Sequence, residues 1–203
     1  MAYSRIDGAR EAMKRALAER NEAEFMCHFK KYNWNADTLR PMLIPAVQNG
    51  SVEIFNKIYD SNPDFWKWKA DTLRPVLSAA VQCNSFEVFK KVFAAYNWDS
   101  DKVKPLLMAG ARGGNPDILK LVVDAYYWKP DTLTECVIVA AATNDAVLKV
   151  VEGKYPWSSE TLKQIKMVKN KRKGCTQKKF CPNCGVQCDG QDKFCCECGH
   201  KFV

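Results

Sequence analysis

Apolar positions along this chain follow a pattern that restarts at each of five tryptophans, Trp34, Trp68, Trp98, Trp128 and Trp157. Five residues after each stand Leu39, Leu73, Val103, Leu133 and Leu162. Eight residues after come Met42, Val76, Leu106, Cys136 and Ile165. Twelve after come Ala46, Ala80, Gly110, Ala140 and, breaking the series, Lys169. Offsets of five, eight and twelve share one face of an α-helix, because side chains three, four and seven apart stack along it. The pattern therefore predicts an amphipathic helix after every Trp, and the small residue near its end permits close approach of a neighbour.

Each such helix runs into turn residues: Asn49-Gly50, Asn84-Ser85, Gly113-Gly114-Asn115 and Asn144-Asp145. A second amphipathic stretch follows, as in Val52 to Tyr59, Phe86 to Phe93, Asp117 to Val123 and Ala146 to Val151, and closes on the next aromatic pair. The N-terminus fits the same scheme, with a helix over Ala9–Arg20, a turn at Asn21-Glu22 and a second helix over Ala23–Lys31. That gives five helix pairs and a lone last helix from Ser158 to about Val168. Asp37, Asp71, Asp101 and Asp131 stand where N-cap acceptors are expected. Pro41, Pro75 and Pro105, four residues on, are expected in the first turn, where N–H groups lack intrahelical partners.

The tryptophans lie 34, 30, 30 and 29 residues apart, a period that marks a stack of supersecondary units. Aromatics recurring at fixed places, such as Tyr96 and Trp98, are expected in the packing between units. Unit two departs from the pattern: it carries extra residues around Ser61-Asn62-Pro63-Asp64 and a second tryptophan, Trp66, with no counterpart elsewhere. Insertions of this kind map to a loop on one face of a repeat array, often the binding face. Asp64, Trp66 and Lys67 are accordingly the candidate partner-binding residues.

Here the chain resembles a known family. Gly114-Asn115-Pro116-Asp117-Ile118-Leu119-Lys120-Leu121-Val122-Val123-Asp124-Ala125 looks like the second helix of an ankyrin repeat, and Ala79-Ala80-Val81-Gln82 and Ala140-Ala141-Ala142-Thr143 like the end of its first. The resemblance covers roughly residues 5–168 at a spacing close to the ankyrin period. It departs from the family in replacing the Thr-Pro-Leu-His start by Thr38-Leu39-Arg40-Pro41 and Thr72-Leu73-Arg74-Pro75, and in a shorter period that trims the projecting finger. The resemblance implies an all-α, ankyrin-like helical-hairpin solenoid over residues 1–168 and a protein-recognition role. Another αα-hairpin solenoid is the alternative fold.

Charge and cysteine change the picture only toward the C-terminus. The formal net charge is +8, yet eight of the 31 Lys and Arg lie between Thr161 and Cys188, where there is no Asp or Glu. The rest of the chain is left with 23 basic and 23 acidic residues, so it is neutral. Lys169, Lys171, Arg172, Lys173, Lys178 and Lys179 form the basic patch of an expected linker over 169–179 that leaves the helix. Such a segment contacts phosphates, anionic surfaces or import receptors, or keeps two modules apart. No aromatics interleave the lysines, so single-strand base stacking is not supported there.

Of ten cysteines, Cys27, Cys83 and Cys136 lie singly in apolar stretches and are expected to be small core residues. The other seven lie between Cys175 and Cys198. Two copies of one knuckle stand out, Phe180-Cys181-Pro182-Asn183-Cys184-Gly185 and Phe194-Cys195-Cys196-Glu197-Cys198-Gly199. Paired Cys-x-x-Cys-Gly places two thiolates on one ion, with glycine allowing the tight turn after them. Cys181, Cys184, Cys195 and Cys198 are thus expected to hold one structural Zn²⁺ with no open coordination position. The segment 180–203 resembles the short zinc-ribbon family and is expected to form a β-hairpin turning at Asp189-Gly190. Cys175, Cys188, Cys196 and His200 do not form a second pair of knuckles and are expected to stand aside.

Catalytic signals are sparse: the two histidines, His28 and His200, are far apart in sequence, and neither a nucleophile motif nor a phosphate-binding loop after a strand occurs. No small-molecule substrate and no membrane span are expected. The N-terminus carries no apolar signal segment, so an intracellular protein is expected. The leading expectation is a non-enzymatic scaffold or adaptor that binds a protein partner through its repeats, with the zinc ribbon as a second contact. The alternative is a nucleic-acid-binding or regulatory protein that uses the basic linker and the ribbon.

Overall fold

The computed structural model describes residues 2–61, 68–176, 178–189, 193–194 and 197–201, with the backbone alone for 2–4, 173–176, 178–179 and 187–189. Two compact units are present, 1–126 and 127–203.

Among its described residues the first unit holds eight helices: α1 (Ala2–Ala18), α2 (Glu22–Phe29), α3 (Ala36–Gln48), α4 (Val52–Asp60), α5 (Ala70–Gln82), α6 (Phe86–Ala94), α7 (Ser100–Gly113) and α8 (Pro116–Ala125). They pair as hairpins in chain order, and first helices pack on first helices while second helices pack on second helices, giving two layers. The core lies between the layers. Leu39, Leu43, Leu73, Leu77, Val103 and Leu107 from the first helices meet Phe55, Phe89 and Leu119 from the second, all at most 1% exposed. Ring stacking one turn apart recurs along the second helices: Phe25 on Phe29, Phe55 on Tyr59 and Phe89 on Phe93, at 5.4–5.7 Å between centroids. The expected small positions Ala46, Ala80 and Gly110 are buried, and a Cβ on Gly110 would stand 3.6 Å from the Leu119 backbone, which is how near the second helix comes.

The second unit holds a fifth hairpin, α9 (Pro130–Thr143) and α10 (Asp145–Glu152), then α11 (Ser159–Thr176), which packs on α9. Strands β1 (Lys178–Phe180) and β2 (Gln187–Asp189) follow and pair antiparallel, Lys178 with Asp189 and Phe180 with Gln187.

The helix starts differ from expectation. Asp37, Asp71, Asp101 and Asp131 are the second residues of their helices, and the N-cap is the residue right after each Trp: Asn35, Lys69, Asp99 and Lys129. Asn35 accepts from the Thr38 N–H at 2.9 Å and Asp99 from the Asp101 N–H at 3.0 Å, while Lys69 and Lys129 supply no side-chain bond. The in-helix aspartates act instead on the helix dipole. Two of them also pair three residues on, Asp37 with Arg40 at 3.2 Å and Asp71 with Arg74 at 3.6 Å. With the start moved two residues earlier, Pro41, Pro75 and Pro105 fall in the second turn, not the first. Each is exposed, so the carbonyl it deprives of a partner is left on the wet side, where water can satisfy it.

Two further expectations are corrected. Cys136 is buried, but Cys27 and Cys83 are exposed, because each falls on the outward side of its helix end. The basic segment from Lys169 onward does not leave the helix: α11 runs through it to Thr176. The reason is visible at Arg172, which reaches back to the Ala141 carbonyl at 3.1 Å and to the Asp145 carboxylate, tying this turn onto α9 and the start of α10.

Candidate metal centre and interaction surfaces

The aromatic motif is consumed by the architecture. Trp34 donates its indole N–H to the Phe29 carbonyl at 2.9 Å, Trp98 to Phe93 at 3.0 Å and Trp157 to Glu152 at 2.6 Å, each five residues back. Those carbonyls lie in the last turn of a second helix, where no intrahelical donor remains. Trp68 makes the same bond to Tyr59 at 3.1 Å, but across nine residues. The helix end and the Trp thus keep their usual contact across an interval four residues longer than in the other units. The tyrosines tie unit to unit: the Tyr96 hydroxyl donates to the Trp68 carbonyl, and that of Tyr126 to the Trp98 carbonyl at 2.8 Å. Trp68 and Trp98 are buried, as a packing role requires. Asp64, Trp66 and Lys67, the candidate partner-binding residues, lie outside the described residues.

At the cysteine segment the structure brings together three of the four expected ligands. The sulfurs of Cys181, Cys184 and Cys198 all lie within 4.8 Å of one another, and Cys181 and Cys198 are 3.5 Å apart. A disulfide needs about 2.05 Å between sulfurs, so this is a convergence of free thiols able to hold a metal ion. Cys195 lies outside the described residues. Cys181 is buried, and Cys184 and Cys198 face solvent.

The backbone explains why the thiols converge. Phe180 pairs with Gln187 across the first knuckle, and Phe194 pairs with Lys201 across the second, the same interval in each copy. Gly185 and Gly199 follow the last cysteine of each knuckle with φ of +73° and +68°, a region that strains any residue with a Cβ. Within the first knuckle the Gly185 N–H bonds the Cys181 carbonyl at 2.8 Å, and the Asn183 N–H points at the Cys181 sulfur at 3.4 Å. A hydrogen bond from the Asn183 side chain, and next the His200 backbone N–H, hold the Cys198 thiol below its ordinary value, favouring the thiolate that binds metal. The first strand pairing closes around its knuckle; the turn expected at Asp189-Gly190 runs into Gly190, which lies outside the described residues. Of the remaining candidates, Cys175 lies on α11, Cys188 lies in β2 opposite Lys179, and Cys196 lies outside the described residues.

The basic patch divides. Arg172 is committed to Ala141 and Asp145, and Lys169 stands 4.0 Å from the same carboxylate. Lys171 is exposed on α11; Lys173, Lys178 and Lys179 are described by backbone alone. Nothing in a bare count of lysines separates Arg172 from its neighbours, although its position three residues from Lys169 and seven from Ile165 was a signal that it shares their inward face. Elsewhere Lys91 is held by Asn56 at 2.9 Å and Asp60 at 2.8 Å and lies 5.3 Å from the centre of the Tyr59 ring, fixing α6 to α4. No helix among the described residues is long and apolar enough to cross a membrane.

No protein-family model, no curated protein and no solved structure matches this chain.

Proposed function

We propose that the chain is a non-enzymatic adaptor: an ankyrin-like helical-hairpin array that binds a protein partner, carrying a zinc-ribbon module as a second contact. The observation that carries this reading is the fate of the recurring motif. The indole N–H groups of Trp34, Trp68, Trp98 and Trp157 and the phenol O–H groups of Tyr96 and Tyr126 are spent on carbonyls, so recurrence serves construction and the breaks in the pattern are left for recognition. The chief break is the insertion bearing Asp64, Trp66 and Lys67, whose two flanks are pinned by the Trp68–Tyr59 bond. Fixed flanks reduce the freedom a segment loses on binding, which favours the insertion as a contact site.

The fit to zinc rests on donor chemistry. Four tetrahedral thiolates at about 2.3 Å from zinc stand roughly 3.8 Å apart, close to the 3.5 Å between Cys181 and Cys198. Cys195 repeats Cys181 at an offset of fourteen residues, as Cys198 repeats Cys184 and Gly199 repeats Gly185, and so is the fourth ligand of this reading. When bound, the ion would supply folding free energy to a segment too small to hold a core of its own. The reading places the protein inside the cell, where thiols stay reduced.

The test is affinity capture with the full chain against one carrying Asp64, Trp66 and Lys67 all as alanine. Loss of a protein captured by the unaltered chain supports the reading; identical recovery by both removes the insertion as its site. Nucleic-acid binding is the second reading. It is weakened by the commitment of Arg172 and Lys169 to Asp145, and predicts instead an affinity that falls steeply with salt.

A further inference from the structure

Four first helices bury the residue five places after their Trp: Leu39, Leu73 and Val103 are at most 1% exposed and Leu133 is 6% exposed. On α11 the same position is Leu162, and it is 48% exposed. The cause is topological. Every earlier first helix is followed by a second helix that covers it, whereas α11 is followed by β1. Met167, 70% exposed, lies five residues on and about 140° further round the helix, at the other edge of the open side, with Lys166 and Lys163 exposed between the two apolar residues. Lys166 takes the place of residues that are fully buried in the other units, Leu43, Leu77, Leu107 and Val137. The opposite side of α11, with Thr161, Ile165 and Arg172, is already occupied by α9.

We propose that this open face of α11 is a docking site for an acidic amphipathic helix of a protein partner, which would lie where the hairpin lacks its second helix. The inference rests on the protein-binding reading above and names the partner's chemistry. Leu162 offers the apolar seat whose counterpart in the preceding hairpin, Leu133, is covered. Lys166, where earlier units have leucine or valine, replaces part of the apolar contact by a charge. A guest helix must therefore combine an apolar stripe with Asp or Glu flanking it, since a neutral copy of the chain's own second helices would leave Lys166 buried and unpaired. Glu160 is the single acidic residue on α11, at its first turn, so the face repels no acidic guest.

The probe is a lactam-stapled peptide of residues 115–126, the α8 sequence, with Lys120 replaced by glutamate. Its control has Asp117, Lys120 and Asp124 all as lysine. Fluorescence anisotropy with the full-length protein is expected to give saturable binding of the acidic peptide only, weakened about tenfold or more by Leu162→Ser and by Lys166→Glu, as for a small set of dominant contacts. Met167→Ser serves as a second apolar variant, and circular dichroism checks that each stays folded. Absence of saturable binding, equal binding of both peptides, or indifference to Leu162→Ser overturns the proposal. So does a preference for a thymidine 20-mer or phosphatidylserine vesicles that depends on Lys163 and Lys166 but not on Leu162, or self-association through Leu162 in sedimentation. Failure of the peptide alongside partner capture that depends on Trp66 sinks this inference alone; failure of both sinks the protein-binding reading.

Discussion

Replacing Tyr126 by phenylalanine removes one oxygen and little else. The ring stays edge-on to Phe93, at 6.3 Å between centroids, so the packing is preserved and the lost interaction is the bond from the hydroxyl to the Trp98 carbonyl at 2.8 Å. That bond links one repeat to the previous one. A neutral intramolecular hydrogen bond contributes about 0.5–1.5 kcal/mol net, and leaving a carbonyl near a buried Trp without its donor pushes the cost toward the upper half of that range. Partial exposure of Tyr126 lets water take over some of the role and pulls it down, so the expected loss is about 1 kcal/mol. At a urea slope of about 2 kcal/mol per molar, the midpoint of unfolding should fall by roughly 0.5 M. The next residue supplies the control: Tyr127 is 98% exposed. Tyr127→Phe should stay within about 0.5 kcal/mol of the parent, as surface changes do. Urea titrations of both variants, followed by far-ultraviolet circular dichroism, decide the matter. Equal midpoints for the two variants would refute the claim that the tyrosine hydroxyl ties repeats together.

Four other outcomes follow from the same geometry. Pro75→Ala should stabilise the protein by roughly 1–3 kcal/mol, because it restores an N–H in the second turn of an exposed helix position; a neutral or negative effect in thermal unfolding would put the proline back in the first turn. Arg172→Ala should cost about 1.5–3 kcal/mol through its bonds to Ala141 and Asp145, whereas Lys171→Ala should be nearly silent, a contrast readable in the same titration. Burial pushes the Cys136 thiol up to about 12, so a thiol reagent at neutral pH should label Cys27 and Cys83 in the native chain and spare Cys136, as peptide mass mapping would report. Burial also raises the phenol of Tyr59 and of Tyr126 above the ordinary value; their contribution is fully present below about pH 10 and is lost as pH rises through the higher folded values, so stability should decline there, and less steeply in the double phenylalanine variant.

The helical hairpins were legible because their signal is repeated five times: any one stretch of Leu, Val and Ala is ambiguous, but Leu39, Leu73, Val103 and Leu133 at one offset are not. What repetition cannot convey is phase at the helix ends. Asp37 and its equivalents resemble caps by composition, yet Asn35 and Asp99, directly after the Trp, hold that place because the indole bond fixes where the preceding helix stops. The continuation of α11 was hidden for a different reason. Lys169 to Lys173 lack apolar residues, and only tertiary contact, Arg172 on Ala141 and Asp145, reveals why the helix runs on. Three of the four thiolates were legible from spacing alone, since Cys-x-x-Cys-Gly leaves little freedom in how the sulfurs point. The exposure of Leu162 was not legible, because it depends on a helix that the chain does not place there.

The account holds that the recurring aromatics build the array and that recognition lies at the breaks. Crosslinking mass spectrometry of the full-length protein with a captured partner, using an amine-reactive linker, tests this most directly. Crosslinks from Lys67, Lys163 and Lys166 are the predicted result. Crosslinks confined to Lys31, Lys129 and Lys154, which adjoin Tyr32, Trp128 and Tyr155 of the recurring motif, would contradict it.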